Sequence, residues 1–207
     1  MAAIKTLKDI PSLTQLYRQG ILRASNHDDL PAPNQEFNDK VCTLRYDITK
    51  LEVDAIVNAA NTRMLGGGGV DGAIHSAAGP GLLEECKTLG GCETGLAKVT
   101  KAYDLPSKKV IHAVGPIYRA KEADNAERAL RGCYKSALQL AVEHNCKSIA
   151  FCAISTGIYG YPNESAGKTA IREVRKFLSQ PEGQKLDKVI FCNFLEKDIH
   201  VYAKILP

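Results

Sequence analysis

From residue 41 onward the chain alternates short apolar runs with amphipathic segments, and this alternation most restricts its fold. KVCTLRYDI and DAIVNA read as strands and VDGAIHSAAG as a helix. LAKVTKAY and KKVIHAV then read as two more strands, each preceded by a polar turn. DNAERALRGCYKSALQLAVEHN is the clearest helix. Asp124 and Glu127 form a capping-box pattern, and Leu130, Tyr134, Leu138 and Ala141 fall on one face. KSIAFCAIST is a nearly continuous apolar run, as expected of a strand covered on both sides. A helix over 163–179 follows, with Ala170, Val174, Phe177 and Leu178 inward and Pro181 beyond its end. A strand, KVIFCNFL, and a helix, DIHVYAKIL, complete the alternation. Such a pattern predicts an α/β domain whose sheet lies between two helical layers.

Residues 1–40 read as a peripheral extension. SLTQLYRQGIL fits a short amphipathic helix with Leu13, Leu16, Tyr17 and Ile21 at helical spacing, and NHDDLPAPNQ (26–35) fits a loop. The 207 residues suit one α/β domain, 41–207, with a substantial core.

In open α/β sheets, ligands sit beyond the carboxyl ends of the strands. Two loops in such positions are glycine-rich, residues 66–69 and STGIYGYP at 155–162, and they are expected to be neighbours. Three phosphate-binding readings compete. AGKT at 166–169 imitates the end of a P-loop, but the required leading glycine is Pro162 and the string lies within a helix. Gly67, Gly69 and Gly72 satisfy GxGxxG, yet about eight residues separate Asn58 from the glycines, and no ribose-binding acid follows. The third reading takes both loops together. Bare glycine backbone lets successive N–H groups converge on an anion, and the helix behind residues 66–69 adds the field of its amino terminus. Two such loops could grip a diphosphate from both sides.

Asp71 and His75, at i and i+4, share a helix face directed toward the first loop, with Asn58 and Asn61 just upstream. Singly these residues suit a surface ion pair, a cap and a turn. Together, beside a phosphate cradle, they suit an arrangement that orients a sugar and a water.

The segment DAIVNAANTRMLGGGGVDGAIHSAAGPGL strongly resembles the signature of macrodomains, the ADP-ribose-binding module, and in particular the MacroD-type hydrolases. ISTGIYGYPNESA is similar to the family's second ligand loop and FCNFLEKD to its last-strand motif, so the resemblance covers roughly residues 41–207. It implies a three-layer α/β/α macrodomain with a central mixed, mostly parallel sheet that binds ADP-ribose along its carboxyl-terminal strand ends. On the family pattern Asp47, with Ile48 beside it, hydrogen-bonds the adenine amino group, and Phe194 packs on the adenine ring. Asn58 joins the ligand-binding residues. Gly68, Gly69 and Val70, with Ser155, Thr156, Gly157, Ile158 and Tyr159, enclose the diphosphate and distal ribose. Asn61, Asp71 and His75 match the catalytic-side positions. Where the family usually has Gly before the Asp of its GDI motif, this chain has Tyr46. A Tyr there places a large ring near the expected adenine pocket or in an adjacent core position.

The resemblance implies hydrolysis of the ester between the distal ribose and an Asp or Glu side chain of a mono-ADP-ribosylated protein, with O-acetyl-ADP-ribose also accepted. In this scheme Asn61 fixes a distal ribose hydroxyl, Asp71 holds or deprotonates water, possession of which role a substrate phosphate oxygen could share, and His75 orients. No GxSxG elbow surrounds Ser155, and Cys86 and Cys92 do not fit a Cys–His nucleophile with His75. The five histidines lack HxxxH or HExxH spacing, so neither metal nor cofactor is expected. A non-catalytic ADP-ribose reader is the rival reading. A nucleic-acid binder is disfavoured by a formal charge of only +4.

No apolar run approaches the length of a membrane span, and MAAIKTLKDIPSL has neither a secretory h-region nor an Arg-rich presequence character. Seven scattered cysteines without a CxxC pair read as buried thiols in a reducing compartment, cytoplasm or nucleus. A monomer is expected.

Overall fold

A computed structural model describes residues 2–23, 30 and 32–206. Six strands form the central sheet: β2 (Val41–Arg45), β4 (Ala55–Ala60), β5 (Ala97–Lys101), β6 (Lys109–Val114), β7 (Ser148–Phe151) and β8 (Lys188–Asn193). Their order is β2-β8-β7-β4-β6-β5, with every pairing parallel except β5 against β6. The sheet is therefore mixed and mostly parallel. A separate pair, β1 (Lys5–Thr6) and β3 (Leu51–Glu52), lies beside it.

The helices are α1 (Leu13–Arg18), α2 (Gln35–Lys40), α3 (Gly69–Ala78), α4 (Pro80–Thr88), α5 (Ala123–Glu143), α6 (Asn163–Leu178) and α7 (Glu196–Ile205). All four residues of β7 are buried, and so are the last five of both β6 and β8, as double coverage by helices requires. Tyr134 of α5, Phe151 of β7, Phe191 of β8 and Tyr202 of α7 stack as one aromatic seam through the core, with successive centroids 4.9, 6.5 and 4.8 Å apart. No described helix is long and apolar enough to cross a membrane.

The N-terminal extension is anchored to this core. Ile10, Leu13, Leu16 and Phe37 are buried in the same hydrophobic cluster as the sheet, and Lys188 Nζ donates to the carbonyls of Leu7 and Ile10 at 2.7 and 2.8 Å. α1 stops at Arg18, so Ile21 lies beyond its apolar stripe and is exposed, contrary to the helical spacing. Ser12 caps that helix, accepting from the Gln15 N–H at 3.3 Å. Residues 26–29 and 31 of the expected loop lie outside the described residues.

Two other expectations change. A 3₁₀ turn at 120–122 runs directly into α5, so the helix begins at Ala123 and Asp124 sits inside its first turn instead of capping it. There its carboxylate still complements the helix dipole. α4, absent from the sequence reading, starts at Pro80 immediately after Gly79, where φ is +76°. Pro at the first position and a glycine turn before it mark the break from α3.

Candidate active site

The chain leaves β4 at Ala60 and makes a turn closed by the Met64 N–H to the Asn61 carbonyl, 3.0 Å. Asn61 braces the loop through its side chain, donating from Nδ2 to the Gly66 carbonyl at 2.9 Å and accepting from the Arg63 N–H at 3.0 Å. Glycines 66–69 then deliver the chain to the amino terminus of α3, whose cap is Gly68.

The second loop leaves β7 and folds back through Gly160 N–H to the Gly157 carbonyl and Tyr161 N–H to the Ser155 carbonyl, 3.0 and 2.9 Å. Ser155 adopts φ +66°, a left-handed backbone that L-residues seldom take, and its buried Oγ has no hydrogen-bond partner among the described residues. Gly115, at the end of β6, fits against that hydroxyl; a Cβ there would stand 2.1 Å from Ser155 Oγ.

Between the loops lies an open cleft of about 230 Å³. Of the expected residues, Asn61, Gly68, Gly69, Val70, Asp71, Ser155, Gly157, Ile158 and Tyr159 line it. Gly69 and Gly157 have open space where a Cβ would be, and one on Gly68 would only touch Ile158, so bare backbone faces the cleft from both sides. Sequence reasoning missed the floor, made by Ala59, Ala60, Gly115 and Ala153. Small residues at strand ends looked like strand residues, and only the sheet order reveals that they meet.

Six expected residues sit elsewhere. Asn58 has no exposed surface and cannot meet a ligand; it donates from Nδ2 to Asp71 Oδ1 at 2.7 Å. Thr156 is buried and turned away, bonding the Ala153 carbonyl at 3.2 Å beside α6 and α7. His75 lies behind the first loop, its Nε2 3.5 Å from Asp71 Oδ1, near in distance but without hydrogen-bond geometry. Ile48 is buried beneath its turn. Asp47 and Phe194 follow the neighbouring strands β2 and β8, on the β7 side of the sheet but outside the lining of the cleft at β4, β6 and β7. Asp47 Oδ1 accepts from the Thr49 N–H and hydroxyl at 2.9 and 2.7 Å, while Phe194 is 69% exposed.

Tyr46 occupies the second of its two anticipated settings. It packs against the hydrophobic core, its hydroxyl donates to the Ala3 carbonyl, and Lys5 Nζ lies 5.0 Å above its ring. AGKT is inside α6, where Lys168 pairs with Glu164 at 3.0 Å, which leaves it no role at the cleft.

Asp71 is the one carboxylate lining the cleft among the described residues. Burial raises its pKa above the ordinary Asp value, against the opposing hydrogen bond from Asn58 and the attraction of His75. Oδ1 is taken by Asn58, while Oδ2 faces the first loop: a Cβ on Gly67 would lie 3.0 Å from it. A poised carboxylate beside a backbone cradle can hold and deprotonate a water next to a bound diphosphate.

The fold and site define an α/β/α domain built to receive a phosphate-bearing ligand across its carboxyl-terminal strand ends. The chain belongs to the macrodomain family: a family model for the Macro domain matches residues 57–170. It is 52% identical over 204 residues to ADP-ribose glycohydrolase MACROD2 of Xenopus laevis, a match covering 97% of this chain and 48% of that protein. It is 58% identical over 163 residues to a macro domain-containing protein of Chlorobaculum tepidum, covering 79% and 93% respectively. The Trypanosoma brucei macrodomain in complex with ADP-ribose superposes with a TM-score of 0.84 at 40% identity, covering all of this chain and 78% of that one. The chain spans about half the length of the MACROD2 of Xenopus laevis and the MACROD1 of Bos taurus.

Proposed function

We propose that this macrodomain binds ADP-ribose and hydrolyses the ester joining it to Asp or Glu side chains of mono-ADP-ribosylated proteins, and also accepts O-acetyl-ADP-ribose. The observation that carries the reading is Asp71, buried and held by Asn58 in the lining of a cleft walled by two glycine loops. A solved relative holding ADP-ribose and curated relatives named ADP-ribose glycohydrolases support it.

The ligand lies along the strand ends. Adenine sits at β2 and β8 between Asp47 and Phe194, with Ile48 supporting the turn beneath. The diphosphate crosses β7, where the N–H groups of the two loops and the amino terminus of α3 receive it. The distal ribose reaches Asn61 and Asp71. From β2 to β4 is three strand spacings, roughly 14–15 Å, a distance an extended nucleoside diphosphate ribose can bridge.

In the chemical step a water lies against Asp71 Oδ2. Its oxygen bonds to the ester carbon as Asp71 takes its proton, the ester C–O bond breaks, and that proton passes to the departing oxygen. The products are a free carboxyl side chain and ADP-ribose. Positioning alone can supply about 7–11 kcal/mol of such a barrier at best, so an already activated ester needs no covalent nucleophile. His75 orients Asp71 and supports Gly66, beside which its ring packs.

Residues 41–207 carry this chemistry and 1–40 buttress it. The chain acts as a monomer in cytoplasm or nucleus, where its seven free, buried cysteines remain reduced. Its partners are ADP-ribose and modified proteins, not nucleic acid.

Incubation with a protein mono-ADP-ribosylated on Glu tests the reading. Release of ADP-ribose is expected. Tight ADP-ribose binding with the modification left intact would sink the hydrolase and leave the reader.

A further inference from the structure

Behind Asp71, away from the cleft, a buried polar chain crosses three neighbouring strands. Asn58 of β4 and His112 of β6 are directly paired in register, and both are fully buried. Asn58 Nδ2 lies 2.7 Å from Asp71 Oδ1 and 3.1 Å from His112 Nδ1. His112 Nε2 lies 2.9 Å from the hydroxyl of Thr100, on β5. Cys86 Sγ of α4 approaches the same Nε2 at 3.8 Å, and the His75 ring stands 6.1 Å away.

Hydrogen-bond chemistry fixes the direction of this chain. An ionised carboxylate only accepts, so Asn58 must turn its N–H₂ toward Asp71. Its second N–H then points at His112 Nδ1, which must carry a lone pair. The ring proton therefore belongs on Nε2, donating to Thr100 Oγ1. Flipping the Asn58 amide would set Oδ1 against the Asp71 carboxylate. That contact between two acceptors is not tolerable in a dry interior. Burial also disfavours the imidazolium and takes His112 down to about 3.

We infer that His112, as the neutral Nε2–H tautomer, is a positioning residue for ester hydrolysis: by accepting from Asn58 it locks the amide orientation that aims Asp71 at the water. This rests on the hydrolase reading. It also explains why the donor atoms of His75, Cys86 and His112, all within 4.8 Å of one another, are not a ready metal site. A cation would need the lone pair of His112 Nε2, where the proton bonded to Thr100 resides.

The test separates positioning from structure. His112→Phe fills the ring's volume but offers no acceptor. His112→Asn can return an acceptor to the Nδ1 position. Loss of Asp71 alignment should lower kcat about 10–100-fold in the Phe variant, the scale of a misplacement near 1 Å. ADP-ribose affinity, measured by calorimetry, should stay within about threefold, because only the transition-state interaction is removed. The Asn variant should recover most of kcat. In wild type, ¹⁵N NMR of the histidine rings should show His112 Nδ1 unprotonated from pH 5 to 8 (a readout independent of turnover). An undiminished kcat in His112→Phe, equal losses in Phe and Asn variants, or a protonated Nδ1 would each overturn the assignment. If wild type releases no ADP-ribose at all, the hydrolase reading falls instead, and the NMR and calorimetric results keep the two failures apart.

Discussion

Gly72 lies so close beneath Gly67 that a Cβ on residue 72 would stand 2.5 Å from the Gly67 carbonyl oxygen. The two glycines belong to the GxGxxG string in the sequence, but their relation is not that of a dinucleotide turn. Gly72 is inside α3, and its missing side chain lets the first loop settle onto that helix.

Gly72→Ala should consequently displace the loop more than it harms the fold. Alanine gains about 0.5–1 kcal/mol of helix propensity over glycine, which offsets part of the crowding. Overpacking of about 1–3 kcal/mol then appears mainly as lost loop alignment. ADP-ribose affinity is expected to fall about 5–100-fold by calorimetry, with the melting temperature changing only a few degrees. An unchanged Kd would show that the loop does not take its position from α3.

Asp71→Asn separates chemistry from binding. The amide is nearly isosteric and can still accept from Asn58, but it cannot take a proton from water. Hydrolysis of a Glu-linked substrate should drop about 10²–10⁴-fold while ADP-ribose remains bound. Stability should move the other way. A carboxyl raised in the folded state above its unfolded value costs stability as pH rises through that interval, and the full cost persists above the folded pKa. Asparagine removes it, so the variant should unfold no more readily than wild type at pH 7, by denaturant titration.

The strands and long helices were readable because their faces are simple. β7 is buried throughout and apolar after Ser148, and α5 repeats its buried residues at helical spacing, each pattern having one folding solution. The two glycine loops were readable as a pair because both follow strands, and the cleft between them contains nine of the named residues. Direction was harder to see. Asn58 looked like a ligand contact, but the pleat turns it into the interior, where it serves Asp71. His112 sat unremarked inside KVIHAV, since only register with β4 places its ring beside that amide. Local pattern reports which residues are apolar; it cannot report which strand lies next door.

The acid limb of the kcat/KM–pH profile should lie above the ordinary Asp range, because Asp71 must be ionised to act as base and burial raises its pKa in the ligand-free protein. The Asn58 N–H stabilises the ionised form. Asn58→Ala removes that donor, so the Asp71 pKa should rise further and the acid limb move to higher pH. The change is measured from initial rates of ADP-ribose release in constant-ionic-strength buffers. A limb that stays in place while kcat/KM falls uniformly would mean that Asn58 aligns Asp71 without tuning its proton affinity.

Tyr46 should act as a clasp for the amino-terminal strand. Its hydroxyl reaches the Ala3 carbonyl, Lys5 covers its ring, and β1 pairs with β3 just past the turn that Asp47 caps. Tyr46→Gly, which restores the residue usual in the family, removes both contacts. The hydrogen bond contributes about 0.5–1.5 kcal/mol and a partly exposed cation–π contact about 0.5–1 kcal/mol, and the ring's packing against the core adds to these, so a loss above about 1–2 kcal/mol is expected. Amide exchange should quicken at Lys5, Thr6, Leu51 and Glu52 and leave β7 protected, since residues 5–6 are held by this short parallel pair. Tyr46→Phe keeps the ring on the core and under Lys5 and loses only the hydrogen bond to Ala3, so it should show the smaller effect. If both variants exchange as slowly as wild type, the anchoring of the extension lies further along, at Lys188 and the buried Ile10, and Tyr46 only fills space.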